Sequence, residues 1–101
     1  MKPVYVQIKC ELAKAYDVAE RLVERLEETS EVYSTTGPYD LLAKFYLPEE
    51  QSVGEFVNFK LHKIPGIRET ASIMAFRLFG APERERLDET DHLGRGTNEP
   101  A

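Results

Sequence analysis

Val4, Val6, Ile8 and Cys10 alternate with Tyr5, Gln7 and Lys9. That period of two predicts a first strand. Ala15, Val18, Ala19, Leu22, Val23 and Leu26 follow at spacings of three and four, with charged residues between them, as an amphipathic helix requires. Val32 to Thr36 is β-branched and aromatic, a short second strand, and Gly37-Pro38 ends it. Tyr39 to Leu47 is the most apolar run and predicts a third strand. Pro48-Glu49-Glu50 marks a second helix start, because proline is tolerated in a first turn and acids suit the positive end of the helix dipole. Val53, Phe56, Val57 and Leu61 form the stripe of that helix, Gly54 weakens it, and Pro65-Gly66 stops it. Ile67 to Phe79 predicts a long last strand.

The order βαββαβ is that of an α+β, ferredoxin-like unit: a four-stranded antiparallel sheet with two helices on one face. Alternation puts Leu41, Ala43, Phe45 and Leu47 on the helix side with Ile67, Ala71, Ile73 and Ala75. The other side receives Tyr5, Leu42, Lys44 and Tyr46 together with Thr70, Ser72, Met74, Phe76 and Leu78. A sheet face left to water should be polar at alternate positions, and this one is too apolar for that. A contiguous apolar patch marks an interface, so the pattern predicts a homodimer that stacks or shares its sheets. The competing reading is that the C-terminal segment folds back over the patch.

With 101 residues the chain suits one domain. Thirteen Lys+Arg against eighteen Asp+Glu give a net charge of −5, which opposes unaided binding of DNA. Cys10 is the single cysteine, so neither a disulfide framework nor a thiolate metal cluster is expected. No apolar run approaches the roughly 20 residues that span a bilayer. Gln7 and Lys9 interrupt the first apolar segment, so no signal-peptide core is read there and a cytoplasmic location is expected. All ten aromatic residues precede position 81, and residues 81–101 carry six acids, three bases, two prolines and two glycines. The domain is therefore placed at 1–80, and 81–101 is read as a polar acidic tail, flexible or packed on a neighbouring subunit.

Catalytic chemistry is thin. His62 near the end of the second helix and His92 in the tail read as solvated residues. No glycine-rich phosphate loop and no metal-ligand spacing is present, so no catalytic residue, cofactor or metal is assigned. Cys10 falls on the apolar side of its strand and reads as a small core residue. The turn Thr35-Thr36-Gly37-Pro38-Tyr39-Asp40 is more informative. Gly37 lets backbone N–H groups approach a ligand closely. Asp40 opens an apolar strand on the face assigned to Thr70 and Ser72, where a carboxylate can pair with a ligand ammonium. The alternative is that Asp40 only caps the turn.

Thr36-Gly37-x-Tyr39-Asp40-Leu41-Leu42 resembles the G-x-[YF]-D signature of the Lrp/AsnC effector domain, and Ile64-Pro65-Gly66-Ile67-x-x-Thr70 is similar to that family's I-P-G-V-x-x-T segment. Glu31-Val32 resembles its P-E-V strand entry. The resemblance covers residues 3–80 and is to the members without a helix-turn-helix, known as RAM domains. It implies a dimeric αβ sandwich that assembles into octamers or decamers and partners full-length Lrp/AsnC regulators, with no direct DNA binding. It also implies a small amino-acid effector bound between dimers by Thr36, Gly37, Tyr39, Asp40, Thr70 and Ser72. Leu12-Ala13-Lys14-Ala15 lacks the glycine often found before the first helix of the family. Two other classes share the topology: cofactor-free enzymes of the dimeric αβ-barrel type and ligand-free oligomerisation modules.

Overall fold

The computed structural model describes residues 1–80. Strand β1 is Lys2–Cys10, helix α1 Ala15–Arg25, β2 Thr29–Ser34, β3 Leu41–Leu47, α2 Val53–Phe59 and β4 Ile67–Ile73, with one 3-10 turn at Leu61–Lys63. The strands lie in the order β2-β3-β1-β4 and all neighbours run antiparallel. The α+β, βαββαβ expectation holds. The expectations for residues 81–101 fall outside the described residues.

Period two in β1 and β3 places one apolar row against the helices: Val4, Val6 and Ile8 meet Phe45, Ala43 and Leu41 in register. Val18 and Leu22 of α1, Leu26 just after it, and Phe56, Val57 and Leu61 from the α2 side close the core over that row. Phe45 and Phe56 meet edge to face at 4.9 Å between centroids, a geometry the ring quadrupoles favour. Each such side chain contributes on the order of 1.5–3 kcal/mol on burial. No polar or charged side chain is fully buried among the described residues.

Several boundaries differ from the sequence pattern, each for a local reason. The second helix begins after Ser52, whose hydroxyl accepts from the Glu55 N–H at 3.3 Å. Ser52-Val53-Gly54-Glu55 is the spacing of an N-terminal capping box, and it outcompetes the proline and acids upstream. The helix ends at Phe59, so Leu61 reaches the core from the 3-10 turn. The second strand starts at Thr29, whose hydroxyl donates to the Leu22 carbonyl at 2.9 Å and so caps the end of α1. It stops at Ser34, short of Thr36, and the third strand starts at Leu41, not Tyr39.

The last strand carries the largest correction. Cys10 pairs with Ile67 and Lys9 with Glu69, so Arg68 is an extra residue with no partner, a β-bulge. One inserted residue reverses every later side chain. Ile67 stays on the helix side opposite Cys10, as expected, but Thr70 and Ser72 lie there too, opposite Ile8 and Val6. Ala71 and Ile73, expected against the helices, lie on the open face opposite Gln7 and Tyr5. The strand also ends at Ile73, so Met74, Phe76 and Leu78 extend beyond the sheet; Phe76 and Leu78 are each 86% exposed. The open face holds Tyr5, Leu42 and Tyr46, as expected, together with Tyr33 and Ile73. Lys44 lies over the Tyr46 ring at 4.9 Å and the Tyr5 ring at 5.8 Å, and the Tyr33 hydroxyl donates to Glu31 at 2.6 Å.

Candidate ligand-binding site

Asp40 is where the β1–β3 ladder runs out. Its N–H donates to the Ile8 carbonyl at 2.9 Å. Its carboxylate then takes the place of a further strand residue: Oδ2 accepts from the Cys10 N–H at 2.7 Å. The turn behind it is closed by the Thr35 N–H to the Asp40 carbonyl, 3.0 Å, and by the Thr35 hydroxyl to the Tyr39 carbonyl, 3.0 Å. Gly37 sits in that turn at φ +102°, a conformation that favours glycine. The Lys9 ammonium donates to the Pro38 carbonyl at 3.1 Å and ties the turn to β1. Asp40 is half-buried, and it therefore holds strand β1 rather than only its own turn. Burial, and next the negative charge of Asp40, push the Cys10 thiol above its ordinary pKa.

The other named residues spread around this end of the sheet. Thr36 and Gly37 are exposed and Tyr39 is half-buried in the turn. Thr70 lies across β1, in register with the Ile8 whose carbonyl Asp40 engages. Its hydroxyl is 2.9 Å from Nε2 of His62. Ser72 is one repeat further along, opposite Val6. The turn and the start of β4 thus share one end of the sheet with β1 between them, and Asp40 is not on the face of Thr70 and Ser72 by strand alternation, since the bulge reverses the latter two.

Beside Asp40 opens a cleft of about 230 Å³ whose walls include Cys10, Leu12, Ala13, Ala15 and Arg68. Of the six residues named from the sequence, Asp40 alone lines it. The loop that forms it is pinned by the Glu11 N–H to the Gly66 carbonyl, 2.8 Å. Gly66 has φ +99°, and a Cβ there would stand 2.8 Å from Cγ2 of Val18. Ala13 adopts φ +64°, so the position before α1 keeps a glycine-like backbone without the glycine. Arg68 escapes any reading by alternation, because its placement comes from the bulge. Two broader hollows, of about 620 and 710 Å³, lie at the opposite end of the sheet along Glu27, Glu28 and Lys60. There the Lys60 ammonium meets Glu28 at 2.6 Å and is held above its ordinary pKa by that hydrogen bond. Among the described residues no three His, Cys, Asp or Glu side chains are grouped to hold a metal ion, and no helix is long and apolar enough to cross a membrane.

Comparison with known proteins agrees with the fold. The HTH-type transcriptional regulator FL11 of Pyrococcus abyssi is 32% identical over 73 residues, 72% of this chain and 47% of that protein. The chain thus spans about half the length of that curated relative. The crystal structure of TTHA0845 from Thermus thermophilus is similar at 31% identity and a TM-score of 0.63, covering 80% of this chain and all of that one. The transcriptional regulator NMB0573 of Neisseria meningitidis, solved as a complex with L-Met, shares the fold at a TM-score of 0.66 and 16% identity, over 80% of this chain and 53% of its own. The family model for the Lrp/AsnC ligand binding domain matches residues 3–80, the span that carries both the glycine-tyrosine-aspartate turn and the proline-glycine segment, and the chain belongs to that family.

Proposed function

We propose that the protein is a sensing and oligomerising module. It takes a small amino acid at the end of the sheet beside Asp40 and modulates transcription or amino-acid metabolism through full-length regulators of the same family. The observation that carries this reading is the state of Asp40. One oxygen is anchored by the Cys10 N–H at 2.7 Å, which holds the group in place, and a cleft of amino-acid size opens alongside. A fixed carboxylate at a half-buried site is favourable when it meets a cation and costly when it meets none. Thr36, Gly37, Tyr39, Thr70 and Ser72 belong to the same proposal as contacts supplied around that end, completed by a neighbouring dimer. Dimers form through the open sheet face and assemble into octamers or decamers.

A thermal-shift screen of the twenty common amino acids tests the reading, since a ligand at 100 times its Kd adds about 2.7 kcal/mol of stability. Asp40→Asn keeps an acceptor for the Cys10 N–H and removes the charge. It should leave the fold intact and weaken binding of the best amino acid by roughly 2 kcal/mol or more, read by calorimetric titration. Equal affinities would leave Asp40 with its strand-holding role alone. No stabilisation by any amino acid would favour a ligand-free oligomerisation module.

A further inference from the structure

We propose that Arg68 completes the cleft as the carboxylate-binding group, so that Asp40 and Arg68 clamp the two ends of a zwitterionic α-amino acid with an apolar side chain. The inference rests on the amino-acid reading of the same site and adds to it the group for the second charge. Arg68 is the bulged residue of β4, unpaired between the Cys10–Ile67 and Lys9–Glu69 pairs. Bulges cluster at sheet edges and beside functional sites because they re-aim a side chain that regular alternation would direct elsewhere. Here the bulge puts Arg68 on the wall of the cleft that Asp40 lines. Arg68 is exposed and makes no ion pair among the described residues.

The chemistry of the two groups is complementary to one ligand class. Oδ2 of Asp40 is engaged by the Cys10 N–H, which leaves Oδ1 to accept from an ammonium. A guanidinium presents a planar fork of donors matched to a carboxylate. Leu12, Ala13 and Ala15 line the cleft without side-chain charge and offer an apolar ligand side chain its contacts. Lys9 and Glu11 also border it, but the Lys9 ammonium is engaged by the Pro38 carbonyl and Glu11 is exposed to solvent. A volume of about 230 Å³ is below that of drug-sized pockets and suits a single amino acid.

The test screens the twenty common amino acids against the wild-type protein, then titrates L-leucine, L-methionine and the amines each gives on losing its carboxylate into wild type, Arg68→Gln and Arg68→Lys. Wild type should bind the tighter of the two amino acids at least tenfold better than Arg68→Gln does, the scale of one hydrogen bond to a charged group. Arg68→Lys should fall between them, because it keeps the charge and loses the fork. The amines should bind wild type and Arg68→Gln alike. Equal amino-acid affinity in wild type and Arg68→Gln would overturn the role of Arg68 while leaving the amino-acid reading standing. Binding confined to acidic or basic amino acids would overturn the apolar specificity. Absence of binding for all twenty amino acids would overturn both the clamp and the reading on which it rests. Circular dichroism of Arg68→Gln separates these outcomes from loss of fold.

Discussion

A methyl group on Gly66 would stand 2.8 Å from Val18, on a backbone held at φ +99°. Two separate penalties follow: left-handed strain, about 1–2 kcal/mol for a residue with a Cβ, and overpacking against α1. Gly37 has a similar φ of +102° but nothing within 4 Å of the same position, so it incurs the strain alone. Gly66→Ala is therefore expected to lower stability by roughly 2–4 kcal/mol and Gly37→Ala by about 1–2 kcal/mol, read from urea midpoints. Equal losses would mean that α1 yields at no cost. Both glycines were legible in the sequence as punctuation. The reason Gly66 matters more was not, because Val18 lies 48 residues away in the chain.

At the scale of elements, β4 decides what the molecule offers to a partner. Its regular part ends at Ile73, and Met74, Phe76, Leu78 and Phe79 continue beyond the sheet, 48%, 86%, 86% and 90% exposed. Aromatic and aliphatic side chains in that state are costly in water, each withholding on the order of 150–250 Å² of apolar burial in the aromatic cases. A dimer that covers them along with Tyr5, Leu42 and Tyr46 removes that cost. Light scattering at micromolar concentration should give a dimer or a higher multiple, and Met74→Glu should shift it toward monomer by placing an unpaired charge in the contact. A monomer mass for the wild type at every concentration would refute the interface. The patch itself was legible from composition along the strands, but its membership was not: the bulge at Arg68 puts Ala71 and Ile73 on the open face in place of Thr70 and Ser72.

For the whole molecule, a net charge of −5 gives no basic footprint of the kind duplex DNA requires. The 101-residue chain alone should show no sequence-specific gel shift at physiological salt; a specific shift at nanomolar protein would overturn that, and any promoter effect should need a full-length relative in mixed oligomers. Periodicity by itself determined the element order and the core row of β1 and β3, and short motifs carried the resemblance to the family, because each depends on residues close in the chain. The sequence also singled out Asp40, as one carboxylate opening an apolar strand. Only the tertiary structure decided that this carboxylate holds the Cys10 N–H, that Ala13 occupies a left-handed backbone, and that Arg68 shares the cleft. Each of these depends on how distant segments meet. A single inserted residue reverses register, and which residue is inserted is settled by the pairing between β1 and β4 rather than by any local pattern in either strand.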